Sequence, residues 1–210
     1  TPVFADEFDS TAIESNWKVE TRPQRQWRTR TADSRLFVEA DGDTEQGTET
    51  QMFYLYRPFS AAADFQVSAR IGWGGTDPER VAQAISLDLL GPGRRVVAKA
   101  CYSDVWVQWR GERQARIGYL GETDRDVLRM RSGYDTLPGK GVAELTIRRE
   151  GHQVSVFWDG HPILHGRCDD PVAELSISFA HVRYSGPEGT AQPGTMWVDR
   201  VAAWAGPGPR

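Results

Sequence analysis

No segment longer than about ten residues spaces its apolar side chains at the 3.6-residue interval of a helix, whereas alternation with period two recurs along the chain. Gly, Pro and Asp punctuate the alternating runs, which is the pattern of many short strands joined by tight turns. In TETQMFYLYRPF, Glu49, Gln51, Phe53 and Leu55 share one face and Thr50, Met52, Tyr54 and Tyr56 the other, until Pro58 ends the run. SAAADFQVSARIGW then sets Phe65, Val67, Ala69 and Ile71 against Gln66, Ser68 and Arg70. From Val142 the run VAELTIRR, a turn at Glu150-Gly151, HQVSVFW, a turn at Asp159-Gly160 and HPILHG spell a hairpin series, since both X-Gly pairs suit the positive φ of tight turns. A chain of this kind is all-β. Two antiparallel sheets that each hide one face against the other answer its burial problem, so the expected architecture is a β-sandwich jelly roll.

The 210 residues, 39% hydrophobic, fit a single domain over residues 1–205 with a flexible tail, GPGPR, over 206–210. A net charge of -4 supplies no basic footprint for nucleic acid, and no run of 18 apolar residues is present to span a membrane, so neither partner is expected. Arginine outnumbers lysine, of which there are three (Lys18, Lys99, Lys140), a bias better explained by composition than by a binding surface. Cys101 and Cys168 are too few for a disulfide framework or a zinc site, and leave a single bridge or two buried thiols as equal readings. The start at Thr1, with no charged and apolar leader, suits a trimmed cytoplasmic chain or a secreted one after processing, and a secreted or periplasmic setting is the expectation.

The stretch from Gln83 to Arg110 is the candidate working surface. Ile85, Leu87 and Leu89 point to a core, leaving Ala84, Ser86 and Asp88 on the opposite face, joined on the following segments by Lys99, Cys101, Trp106, Gln108 and Arg110. Aromatic rings beside polar groups are what sugars require, because pyranose C–H faces pack on indoles while hydroxyls meet hydrogen-bonding neighbours. Trp73, Trp106 and Trp109 are candidates for that role, with Trp106 chosen because it shares its face with Gln108 and Arg110. Trp17, Trp27, Trp158, Trp197 and Trp204 read as packing residues.

The hairpin block from Val142 resembles the strand pair common to laminin G-like and concanavalin A-like domains, the opening FADEFDSTAIESNW resembles the start of laminarinase and lichenase type glycoside hydrolases, and the strand pair TETQMFYLYRPF and SAAADFQVSARIGW resembles the same hydrolase superfamily in pattern and order. That resemblance implies three carboxylates on alternate residues of one strand. The matching positions here are Ala84, Ser86 and Asp88, so only the acid/base position keeps a carboxyl, and the family's retaining reaction does not carry over. It also implies a structural Ca²⁺ held by hard oxygens, with Glu7 and Asp199 at the matching positions, against a reading in which Glu7 is solvated and Asp199 caps a strand. Jelly-roll polysaccharide lyases offer a second chemistry, with Tyr or His for proton transfer and Arg or Gln to neutralise a uronate. Tyr54, Tyr56, Tyr102, His181, Arg70, Gln66 and Arg110 supply those residue types.

The resulting expectation is a carbohydrate-active jelly roll that takes an oligo- or polysaccharide in a concave cleft, leaning to a hydrolase or lyase because the face carries charges as well as aromatics. A non-catalytic glycan-binding domain and a laminin G-like partner-binding domain are the alternatives. The candidate catalytic residues are Asp88, His181 and Tyr54, and the candidate binding residues are Trp106, Gln108, Arg110, Arg70, Gln66, Lys99 and Ser86. Asp88 has two readings: a proton donor in the cleft, or one half of an ion pair with Lys99 or Arg110.

Overall fold

The computed structural model describes residues 2–10, 13, 16–22, 27–40, 50–61, 64–74, 81–107, 112–121, 128–133, 141–183 and 195–206; of 40, 50, 51, 81–83, 102–107, 112–121, 128–133 and 181–183 only the backbone is described. Those residues form fifteen strands and one 3-10 turn, with no helix long and apolar enough to cross a membrane. One sheet runs in the order β13 (His161–Arg167), β12 (Gln153–Trp158), β11 (Gly141–Glu150), β6 (Phe65–Gly74), β15 (Thr195–Ala205), β4 (Arg35–Ala40), β3 (Trp27–Ala32), with β1 (Phe4–Asp6) also paired to β15. The other runs β10 (Leu128–Gly133), β9 (Glu112–Gly121), β8 (Val96–Val107), β7 (Val81–Leu90), β14 (Glu174–Arg183), β5 (Thr50–Pro58), β2 (Lys18–Arg22). All pairings are antiparallel. This is the expected two-sheet sandwich.

Alternation decides what lies between the sheets. Ile85, Leu87 and Leu89 of β7, Leu175, Ile177 and Phe179 of β14, and Phe53 and Leu55 of β5 are all buried in one core with Val67, Ala69 and Ile71 of β6 and Leu145 and Ile147 of β11. Each such Val, Leu, Ile or Phe side chain contributes about 1.5–3 kcal/mol by leaving water, and a one-residue slip in any strand would turn its apolar set outward. Turn chemistry fixes the register. Asp159 (φ 46°) and Gly160 (φ 73°) link β12 to β13 in a two-residue turn, and Asp33 (φ 52°) and Ser34 (φ 53°) do the same between β3 and β4. The β11–β12 turn lies at Gly151-His152, one residue later than its sequence suggests, because Glu150 still pairs with Gln153.

The opening motif is built into this frame. Asp6 Oδ1 accepts the Phe8 backbone N–H at 2.9 Å and Oδ2 accepts Trp17 Nε1–H at 2.6 Å, while the Phe8 and Trp17 rings stack 6.2 Å apart. Trp17 is therefore a core plug, as its pattern suggested, and Asp6 is its hydrogen-bonded anchor. Trp73, a candidate sugar platform by sequence, points into the core against Trp158, with ring centroids 6.2 Å apart. Trp197 departs from expectation in the other direction. It lies on the outer face of its sheet, flat over Gly72 and beneath the Arg35 guanidinium 4.5 Å away. Cys101 and Cys168 are both buried free thiols.

Candidate functional site

The face of the β7–β14 sheet turned away from the core is organised by its register. Directly opposed residues of an antiparallel pair share a face, so one row across four strands reads Tyr56, Ser176, Asp88, Lys99 and the next reads Tyr54, Ser178, Ser86, Cys101. Lys18 of β2 extends the Tyr56 row and Glu20 the Tyr54 row. The sequence places small side chains in the middle, which sinks Ser86, Asp88, Ser176 and Ser178 between taller neighbours. All four are at most 5% exposed although they face away from the core.

A polar network occupies this hollow. Asp88 Oδ2 accepts hydrogen bonds from Ser86 Oγ–H and Ser178 Oγ–H at 3.1 Å each, the two hydroxyls also touch one another, and Lys99 Nζ lies 3.4 Å from Asp88 Oδ1. Asp88 thus faces Lys99 as an ion pair, while Arg110, the other partner considered, lies outside the described residues. Beneath it the Cys101 thiol is pushed up to about 12 by burial, with Lys99 opposing, and stays a neutral packing group rather than a nucleophile.

Beside the network, Tyr54 and Tyr56 stack with centroids 5.4 Å apart and planes 12° from parallel. Burial raises both phenols above their usual range, so both stay protonated donors at neutral pH. Arg94 closes over the outer tyrosine. It sits at the end of the Pro92–Arg94 turn with φ 60°, following Gly93 at 69°, and its guanidinium lies 3.8 Å over the Tyr56 ring. From there Nε donates to Glu174 at 2.9 Å and Nη1 to Glu20 at 2.7 Å. The Arg94 hydrogen bond, then that of Lys18, hold the Glu20 carboxyl down at about 2. An open depression lined by Pro58, Gly91, Pro92, Gly93, Arg94, Ala173 and Glu174 borders this clasp.

The described candidates divide between two sheets. Asp88, Ser86, Lys99 and Tyr54 converge on the face just described. Gln66 and Arg70 do not: both lie on the outer face of the other sheet, because the core-facing members of β6 are Phe65, Val67, Ala69 and Ile71. There Gln66 Oε1 accepts two bonds from Arg148 at 3.0 and 2.8 Å, and Arg70 pairs with Asp199 at 3.5 Å. His181 pairs in register with Gln51 and Gln83, and Trp106 with Arg113, but their side chains lie outside the described residues. Gln108, Trp109 and Arg110 lie wholly outside them, as does the Tyr102 side chain. A register shift between Tyr102 and Val105 interrupts the alternation through which Lys99 and Cys101 were linked to Trp106. Ser176, Ser178, Glu20 and Arg94 were not singled out by sequence. The serines carry the same signal that marked Ser86, alternation with the apolar Leu175, Ile177 and Phe179.

The fit of a calcium ion to Glu7 and Asp199 is poor. Glu7 is exposed, and Asp199 at the β15 bulge already faces the Arg70 guanidinium while burial pushes its carboxyl up. No cluster of three or more His, Cys, Asp or Glu side chains able to hold a metal occurs among the described residues.

No protein-family model matches the sequence, and none of the curated proteins matches it. Solved structures do. A laminarinase catalytic domain from Thermotoga maritima superposes with a TM-score of 0.68 at 13% identity, covering 99% of this chain and 99% of that one. The fold is that of the laminarinases. A Zobellia galactanivorans LamA variant in complex with laminaritriose and laminaritetraose gives 0.68 at 12% identity, covering 97% and 98% of the two chains. A putative β-glucanase from Mycobacterium abscessus gives 0.65 at 17% identity, with 97% and 100% covered. At these identities the likeness is one of fold, a concanavalin A-like jelly roll matched over nearly the full chain.

Proposed function

We propose that this jelly roll binds an oligosaccharide on the outer face of the β7–β14 sheet and does not cleave it by the two-carboxylate route. The observation that carries the reading is the stacked Tyr54–Tyr56 pair standing beside the Asp88–Ser86–Ser178–Lys99 network on one face. Rings supply an apolar platform, and the network sunk beside them supplies hydrogen-bonding groups of the kind that sugar hydroxyls meet. Solved structures of the same fold hold sugars, laminaritriose and laminaritetraose in LamA.

Cleavage has weaker support. A retaining pair needs an ionised carboxylate about 5–5.5 Å from a second carboxyl that is kept protonated. The resemblance to laminarinase-type hydrolases implies Ala84 and Ser86 at the positions of the nucleophile and assisting carboxylate, and neither is a carboxylate. The three described carboxylates of the face are each matched with a cation: Asp88 with Lys99, Glu174 with Arg94, and Glu20 with both Arg94 and Lys18. Proton abstraction of the lyase type needs a phenolate or imidazole base, and the raised Tyr54 phenol disfavours the phenolate.

A panel of polysaccharides and their tri- and tetrasaccharides, followed at once for retention and for released products, tests the proposal. Retention without products, weakened about tenfold by Tyr54→Ala, is the expected result. Products that form with the wild type and vanish in a folded Asp88→Asn variant would replace binding with catalysis, and neither retention nor products from any glycan would leave a partner-binding domain.

A further inference from the structure

The polar network in the hollow is satisfied on one side only. Asp88 Oδ2 receives two hydroxyls, whereas Asp88 Oδ1 and Ser176 Oγ have no hydrogen-bond partner among the described residues. The two residues are direct cross-strand partners, Ser176 on β14 and Asp88 on β7, and are 1% and 5% exposed. Buried polar atoms are nearly always paired, and leaving one unpaired is destabilising. Ser176 Oγ, with no partner, and Asp88 Oδ1, met only by the Lys99 ammonium at 3.4 Å among the described residues, belong to directly opposed residues on the face that also carries the tyrosine pair, and mark a place prepared for something else.

From this we infer that Ser176 and Asp88 Oδ1 together hold one hydroxyl of a bound sugar, an inference that rests on the glycan-binding reading above. The chemistry is specific to a group that both accepts and donates. A hydroxyl oxygen accepts Ser176 Oγ–H while its own proton goes to Asp88 Oδ1, which a carbonyl or an ammonium could not do together. The spacing suits one bridging oxygen: directly opposed β carbons lie about 4.5–5.5 Å apart, and each O–H···O contact spans about 2.7 Å. Lys99, 3.4 Å from Oδ1, flanks the same oxygen. Tyr56, the partner of Ser176 on β5, flanks the hydroxyl on the other side. Ser176 is then a binding residue whose hydroxyl contributes to the complex and not to the fold.

The two roles separate experimentally. The probe is whichever of the laminari-, cello-, manno- and galacto-oligosaccharides of three or four units binds the wild type most tightly. Ser176→Ala is expected to melt at the wild-type temperature or above it, because it removes an unpaired buried hydroxyl, and to bind the probe about 3- to 10-fold more weakly. Ser176→Thr, which keeps the hydroxyl, is expected to restore binding to within about twofold. One monodeoxy derivative of the probe should lose the same factor on the wild type and nothing more on Ser176→Ala, since both changes delete the same bond. Unchanged affinity in Ser176→Ala, or a lowered melting temperature with unchanged affinity, would overturn the assignment while glycan binding itself stood, with an ordered water then as the occupant. No binding of any probe by the wild type would overturn both.

Discussion

Lys99 is the one described cation in contact with the Asp88 carboxylate, so replacing it with the uncharged, similarly long Met strands a nearly buried charge. The side chains of the pair are 23% and 6% exposed with 3.4 Å between Nζ and Oδ1. Coulomb's law at an effective dielectric constant of about 20 gives about 5 kcal/mol at that separation, and the rotamer freedom that Lys99 gives up offsets about 2 kcal/mol of it. Lys99→Met is therefore expected to lower the unfolding free energy by about 2–3 kcal/mol, at the low edge of the cost of breaking a buried pair because the lysine keeps some water. In a chain of this length that is roughly 5–10 °C in melting temperature. The second arm makes the test specific. Asp88→Asn added to Lys99→Met removes the stranded charge but keeps an acceptor for Ser86 and Ser178, and should recover about half of the loss or more. Urea unfolding of the wild type, the two single variants and the double variant yields the coupling. A Lys99→Met protein within about 0.5 kcal/mol of wild type, or two variants whose costs simply add, would refute the reasoning.

Other expectations follow from the same contacts. Gly72→Ala would set a Cβ 2.0 Å from the Trp197 ring, and lifting that ring off β6 and away from Arg35 should cost about 1–3 kcal/mol in denaturant unfolding with the outer face of the β7–β14 sheet unaffected. Glu20 has a folded-state value near 2 against an ordinary 4.5, first because of the Arg94 hydrogen bond, so its stabilisation is complete above pH 4.5 and lost as the pH falls toward 2. Arg94→Gln should flatten the stability curve in that window, by under about 1 kcal/mol because the group is solvent-screened. Chelation with EDTA should leave the melting temperature unmoved, since Asp199 faces Arg70 and not a cage of oxygens; a fall of several degrees on chelation would restore the calcium reading.

Much of the sandwich was legible because alternation is a local property. The runs at β5, β6, β7, β11 and β12 each announce which face is core, and Asp159-Gly160 announces its turn. β2 was not legible: KVETR has a single apolar residue and lies at the edge of its sheet, where one flank and one face meet solvent. The site was half legible for a related reason. Ser86, Asp88 and Lys99 could be put on one face by counting along β7 and β8, but which other strand faces them depends on sheet order, which alternation does not contain. Tyr54 and Ser178 share a face with Asp88 because β14 pairs with both β5 and β7, while Gln66 and Arg70, equally polar and equally alternating, went to the other sheet. The 3-10 turn that aims Arg94 at Tyr56 depends on two successive residues at positive φ, Gly93 and Arg94, and no periodicity signals it.

Titration calorimetry with the best-retained tri- or tetrasaccharide, paired with chromatography of the same mixture after prolonged incubation, addresses the central claim. The account predicts saturable binding by the wild type, about tenfold weaker in Tyr54→Ala, with the sugar recovered intact. Shortened or unsaturated products that accumulate with the wild type and not with Asp88→Asn would contradict it.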